Sequence, residues 1–245
     1  MRIKQIKWRH FGDRDPKRPV RYLIVHCFAF PVRKNTALWD KLGVGPHYMI
    51  DEKGNIVQFV SEDKVAWHAG KSYWAGESGL NFSSIGIELY SPSFGQKPYP
   101  KAQINAFKTL TKDIMRRYKI LPYNIIGHSD IAPTRKLDPN FEFPWRELAL
   151  AGIGLWPTNG KVVSRVRNKT LLKKIGYDVT DEKAALLAFM RHFMPESVPM
   201  DRTDVAAMEE HLTYMIKNTP KANQDVRRRL IGVALAYEKE RCSGY

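Results

Sequence analysis

Arg21-Tyr22-Leu23-Ile24-Val25-His26 is the stretch around which the rest of the chain can be ordered. Tyr22 to Val25 is a short, apolar, β-branched run, the composition of a central strand buried on both faces. It closes on a histidine. Side chains alternate along a strand, so His26 and Cys27 point to opposite faces, and Cys27 reads as a small buried hydrophobe. A second apolar run, Asn124-Ile125-Ile126-Gly127, closes on His128 in the same way. Ten positions later Asp138 stands in a loop held by Pro133 and Pro139. A histidine that closes an apolar strand is ordinarily a hydrogen-bonded core residue, and an aspartate before proline is ordinarily a turn residue. Together, however, two imidazoles and one carboxylate are the ligand set of an open zinc site. Three protein ligands leave a fourth position for water, and the metal lowers the pKa of that water to about 7. His26, His128 and Asp138 are therefore the candidate ligands for one zinc per chain, and the chain is a candidate metallohydrolase.

Around these two strands the pattern is mixed. The first 20 residues are polar and broken by Gly12, Pro16 and Pro19, and read as a basic N-terminal arm or irregular lead-in. His47-Tyr48-Met49-Ile50 starts a strand, Asp51-Glu52-Lys53-Gly54-Asn55 is turn chemistry, and Ile56 to Val60 completes a hairpin. Ser84 to Tyr90 is a further strand. Between Lys101 and Tyr118 the apolar residues Ile104, Phe107, Leu110, Ile114 and Met115 have amphipathic helical spacing. Pro144-Trp145-Arg146-Glu147-Leu148 opens a helix that Gly152 stops. The expectation is an α/β domain over residues 21–157, with a mixed central β-sheet flanked by helices and loops gathered at one strand end. A linker over 158–165 then leads to a second, small all-α helical bundle over 166–245. In that bundle Leu171 to Tyr177 is a short helix with a glycine stop. Thr180 caps a second helix running to about Met194. Asp201 or Thr203 caps a third helix through Met215, and Asn223 to Arg241 is a fourth.

The chain has 245 residues, 43% of them hydrophobic, enough for a globular core. It has no run of 18 apolar residues, so no membrane span is expected. The basic N-terminus is not followed by an apolar segment and is not a signal peptide as written. A chain from which a leader had been removed would look the same, which leaves the compartment open between cell envelope and cytoplasm. Two cysteines, Cys27 and Cys242, do not suggest a disulfide framework. The formal net charge is +15. Residues 1–157 carry 24 basic and 14 acidic side chains, and residues 158–245 carry 16 and 11, so the charge is spread over both halves. Such a field favours acidic partners. No nucleic-acid-binding motif accompanies it, so nucleic acid is not expected, and anionic wall polymers and peptide stems fit as well. The oligomeric state is not legible.

Five phrases give the reading its direction. They are His47-Tyr48-Met49-Ile50, Ala66-Trp67-His68-Ala69-Gly70, Ser84-Ile85-Gly86-Ile87-Glu88, Gly127-His128-Ser129-Asp130-Ile131-Ala132-Pro133 and Lys136-Leu137-Asp138-Pro139. In order and gaps the chain resembles the zinc-dependent N-acetylmuramoyl-L-alanine amidases of the amidase_2, peptidoglycan-recognition-like family. The resemblance is strong from about Tyr22 to Trp156. It is looser from about Thr170 to Lys217, where it is to the branch that adds a small peptidoglycan-binding domain.

The resemblance implies hydrolysis of the amide between N-acetylmuramic acid, including its 1,6-anhydro form, and L-alanine of the stem peptide, in peptidoglycan or in muropeptides. It implies zinc on His26, His128 and Asp138. Glu88 is then the general base toward the zinc-bound water and afterwards the proton donor to the leaving amine. Lys136 is the cation that stabilises the oxyanion. Tyr48 is a lesser catalytic candidate, since a tyrosine assists in one branch of the family. His47, Tyr48, Trp67, His68 and Asn81 are expected to line the substrate groove, with Arg135 meeting a stem carboxylate. His68 as a fourth ligand would close the site and contradict the chemistry. The helical region is expected to tether the enzyme to polymeric peptidoglycan and to be dispensable for the chemistry. The alternatives are a non-catalytic peptidoglycan-recognition protein, although such relatives lose a zinc ligand, and a basic nucleic-acid-binding protein.

Overall fold

The computed structural model describes residues 2–30, 32–161, 166–198 and 208–243. Its strands are β1 (Ile3–Gln5), β2 (Phe11–Asp13), β3 (Tyr22–Phe28), β4 (Tyr48–Ile50), β5 (Ile56–Gln58), β6 (Lys64–Ala66), β7 (Tyr73–Trp74), β8 (Glu77–Ser78), β9 (Ser84–Tyr90) and β10 (Ile125–Gly127). Its helices are α1 (Val32–Leu42), α2 (Lys101–Tyr118), α3 (His128–Ile131), α4 (Trp145–Leu150), α5 (Asn168–Ile175), α6 (Glu182–Phe193), α7 (Met208–Lys217) and α8 (Gln224–Ser243). The apolar runs form the centre of a six-stranded sheet of order β1-β5-β4-β9-β3-β10. β4, β9, β3 and β10 run parallel, and β5 turns back antiparallel to β4. The hairpin turn is closed by Asp51, whose carboxylate accepts from the backbone of Lys53 and Asn55.

The sheet is covered on both sides, as a parallel sheet must be. On one face Val25, Cys27, Tyr48, Ile87 and Leu89 pack against Ile104, Phe107, Leu110 and Ile114 of α2. On the other, Tyr22 and Ile24 of β3 and Ile126 of β10 share a continuous apolar cluster with α5, α6 and α8. Leu172, Phe189, Leu230 and Val233 are fully buried in that cluster. The helical region and the sheet therefore share one buried core. α5 has 8 residues and α6 has 12, lengths at which an isolated helix is marginal in water. They bury their apolar faces against the sheet and the loops above it as well as against one another. The helix stop at Gly176 lies at the seam: its φ is +138° and a Cβ there would meet the ring of Trp74 at 2.7 Å. Trp74 in turn meets Tyr177 edge-on, with centroids 4.9 Å apart.

Two expectations are revised. The N-terminal arm is integrated, because β1 pairs with β5 at the sheet edge and β2 pairs with β6. Arg14 pins the arm by donating to the carbonyls of Glu62, Phe82 and Ser84. The second C-terminal helix is capped by Asp181, whose side chain accepts from Ala184 N, while Thr180 bonds to Asp178. The expected cap at Asp201 or Thr203 and the second half of the linker at 158–165 lie outside the described residues. Among the described residues no helix is long and apolar enough to cross a membrane.

Candidate metal centre and groove

β3 and β10 are adjacent and parallel, with Val25 level with Gly127, so His26 and His128 leave the same end of the sheet side by side. The carboxyl ends of parallel strands are where open α/β sheets place their ligands. Asp138 comes from the loop after α3, fixed by a bond from Ser129 N to the Asp138 carbonyl at 2.8 Å. Nδ1 of His26 and Nδ1 of His128 lie 2.9 Å apart. Oδ2 of Asp138 lies 3.0 Å from the second and 3.3 Å from the first. All three residues are buried.

The opposite edges of the rings settle their protonation. Nε2–H of His128 donates to the Ala69 carbonyl at 3.2 Å. Nε2–H of His26 donates to Nδ1 of His68 at 2.9 Å. His68 passes its own Nε2–H to Ser84 Oγ at 3.3 Å, and the hydroxyl donates to the Leu80 carbonyl. Burial, then the neighbouring His128, lowers the His26 pKa to about 4. Burial, then His26 and His47, holds His68 well below the usual imidazole range. With Nε2 protonated on both ligand rings, both Nδ1 lone pairs and a carboxylate oxygen converge with no proton between them. Three convergent acceptors fit a cation. At zinc–ligand distances of about 2.0–2.1 Å, tetrahedral ligand atoms stand roughly 3.3 Å apart, close to the separations here. The Ala69 carbonyl and His68 Nδ1, which fix the two tautomers, are partners of the kind a ligating histidine uses.

Gly86 makes the His68 position possible, since a Cβ there would lie 2.5 Å from the imidazole Cγ. His68 thus stands behind His26 rather than among the ligands. Asn81 accepts from the backbone N–H of His68 at 3.0 Å and of Ala69 at 2.7 Å, so it sets the course of the loop that carries both the His68 ring and the Ala69 carbonyl.

A groove of about 650 Å³ opens over the centre. Glu88 and Lys136 line it together with Trp67, His68, Asn81, His128, Arg135 and Asp138. Glu88 is the register partner of His26 on β9 and therefore shares its face. Its Oε2 is buried without a hydrogen-bond partner. Burial, reinforced by the charge of Asp138 and opposed by Lys136, raises its carboxyl well above the usual range. Arg135 braces the wall, donating to the carbonyls of Ala69 and Lys71.

Two expected groove residues are elsewhere. Tyr48 is on the α2 face of the sheet, opposite the metal cluster, because it is one residue out of phase with Glu88's partner Met49. Its hydroxyl donates to Glu62 at 2.8 Å. His47 shares the site's face but is fully buried, accepting from Gly86 N and donating to the Lys64 carbonyl. Burial, then Arg14, lowers its pKa to about 3. Both residues support the sheet and neither reaches the groove. What sequence reasoning missed is the opposite wall. α1, with Leu38, Trp39 and Leu42 at helical spacing, lines the groove together with Phe30.

The family profile described as N-acetylmuramoyl-L-alanine amidase (Amidase_2) matches residues 16–141. N-acetylmuramoyl-L-alanine amidase AmiD of Escherichia coli is 37% identical over 208 residues, 72% of this chain and 75% of AmiD. The solved structure of E. coli AmiD with the substrate anhydro-N-acetylmuramic acid-L-Ala-D-gamma-Glu-L-Lys superposes with a TM-score of 0.72. It is 30% identical and covers 89% of this chain and 90% of that one. The 1,6-anhydro-N-acetylmuramyl-L-alanine amidase AmpD of Haemophilus influenzae is 31% identical over 163 residues, 58% of this chain and 88% of AmpD. The chain belongs to the N-acetylmuramoyl-L-alanine amidase family. Within it the chain is of the AmiD type, the likeness running through the C-terminal helices as well as the sheet.

Proposed function

We propose that the chain hydrolyses the amide between the lactyl group of N-acetylmuramic acid, including its 1,6-anhydro form, and L-alanine, with one zinc held by His26, His128 and Asp138. The observation that carries this reading is the convergence of three proton-free acceptors beside an orphaned Glu88 carboxyl in one groove. Zinc, when bound, supplies Lewis acidity toward a carbonyl oxygen and toward water. The chain's own groups do the rest. Glu88, with its raised pKa, is suited to take a proton from the attacking water and return it to the amine as the C–N bond breaks. Lys136 places an ammonium on the groove wall where negative charge grows on the carbonyl oxygen. Trp67 and Arg135 bound the space for the sugar and stem peptide. Glu88→Gln keeps the shape and removes the base. Its expected result is a full complement of zinc with turnover lowered about 10²–10⁴-fold, and near wild-type turnover would remove Glu88 from the chemistry.

A further inference from the structure

The turn of α3 that begins at His128 and the loop that carries Asp138 are held from outside the matched family region, by α6 and by Tyr177 just after α5. Asp130 lies two residues after His128 and is fully buried. Its Oδ2 accepts from Gly127 N at 2.8 Å and so caps the turn that His128 begins. The same carboxylate accepts from the Tyr177 hydroxyl at 2.7 Å and from His192 Nδ1 at 2.8 Å. A buried carboxylate is costly unless its lone pairs are filled, and two of its three donors come from the helical region. The His192 ring is itself clamped, stacked on Trp145 with centroids 3.9 Å apart and on Phe193 at 4.0 Å. It therefore has little freedom to follow a drifting loop.

The neighbouring Arg191 holds the other loop. Its guanidinium donates to the carbonyl of Leu137 at 3.1 Å and to Asn140 Oδ1, one residue before and two after Asp138. Arg191 is buried, and among the described residues no carboxylate pairs with it. A buried cation without an ion pair is expensive. The compensation visible here is the bracing of the Asp138 loop. Two consecutive residues of one helix thus bond to the segments that bear two ligands. The third ligand, His26, rests on the rigid central strand.

We propose that Arg191, His192 and Tyr177 are positioning residues of the metal centre. They set where Asp138 Oδ2 stands relative to His128 Nδ1, and through it the affinity for the ion. The proposal rests on the zinc reading of the site. It assigns the helical region a part in the active site, in place of a tether that could be removed.

The test uses the full-length protein and measures the zinc dissociation constant by competition with a chromogenic chelator, alongside the melting temperature of the metal-free chain. His192→Phe keeps the ring stack and removes the donor to Asp130. Arg191→Met keeps most of the volume and removes the donors to the Asp138 loop, and Tyr177→Phe removes a single hydroxyl. Each is expected to weaken zinc binding about 10-fold, the low end of the loss that follows removal of a group bonded directly to a ligand, because these residues act one bond further out. Arg191→Lys, which restores one donor, is expected to recover part of the loss. Leu230→Ala is the control: it empties space in the same helical core but bonds to neither loop, so it lowers the melting temperature and leaves zinc affinity unchanged. Wild-type affinity in His192→Phe and Arg191→Met would overturn the proposal, as would an equal loss in Leu230→Ala. A wild-type chain that holds no zinc would overturn the reading of the site itself, and the proposal with it.

Discussion

Gly86→Ala adds one methyl group and is expected to damage the metal centre without touching a ligand. A Cβ at Gly86 would lie 2.5 Å from both Cγ and Nδ1 of His68 and 2.7 Å from its Cδ2. Carbon contacts are comfortable at about 3.5–4.0 Å, so the ring must retreat by roughly 1 Å. His68 Nδ1 sits 2.9 Å from His26 Nε2. A retreat of about 1 Å carries that pair beyond the hydrogen-bond range of about 3.2 Å. The bond that keeps the proton on the far side of His26 is then lost. Strain of this kind costs about 1–3 kcal/mol of stability, and loss of the outer-shell acceptor weakens metal binding about 10–100-fold. Urea unfolding of the metal-free chain reads the first quantity and chelator competition for zinc reads the second. A double-mutant cycle isolates the cause. In a His68→Ala background the added methyl meets the vacated space, so the second substitution should cost little, with a coupling of about 0.5–3 kcal/mol. Additive costs, or unchanged zinc affinity in Gly86→Ala, would refute the contact as the reason for this glycine.

Lys136→Met should lower kcat about 10²–10³-fold, the effect of losing one group that stabilises an oxyanion, while zinc content stays at one per chain. Acid should destabilise the metal-free fold through its neutral imidazoles. His26 and His47 have pKa values lowered to about 4 and about 3, whereas in the unfolded chain a histidine titrates near 6.5. The unfolded state therefore binds protons that the folded state refuses. This stability is fully present above pH of about 6.5 and is lost as pH falls toward the folded values. Urea unfolding in chelator across that range should show the decline, and His47→Gln should flatten it.

The sheet and the cluster of His26, His128 and Asp138 were legible because the signals are local. Ser84–Tyr90 and Lys101–Tyr118 fall on their elements residue for residue, since β-branched runs and helical spacing are properties of contiguous sequence. His26 and His128 were legible because each follows an apolar run, and Glu88 because it stands in the strand Ser84–Tyr90; the register brings His26 level with Glu88 and Val25 level with Gly127. Tyr48 was misjudged because strand alternation decides which face a side chain takes, and the phase of a three-residue strand cannot be read without its partners; His47 takes the site's face but is buried by its bonds to Gly86 N and the Lys64 carbonyl, which join it to distant segments. β1 was missed for the same reason: a short edge strand gains its order from the backbone of β5, not from its own side chains. The junction with the helical region was illegible because its bonds, such as Tyr177 to Asp130 and Arg191 to the Leu137 carbonyl, join residues about fifty positions apart. Neither end carries a pattern that names the other.

The most direct test is hydrolysis of anhydro-N-acetylmuramic acid-L-Ala-D-γ-Glu-L-Lys by the same preparation in three states: as purified, stripped with chelator, and restored with zinc. Mass analysis of the products identifies the bond. The expected result is free tripeptide beginning at L-alanine, together with intact anhydro-N-acetylmuramic acid, formed as purified, abolished by stripping and regained at one zinc per chain. Full turnover by the stripped protein, or cleavage at any other bond, would contradict a zinc amidase built on His26, His128 and Asp138.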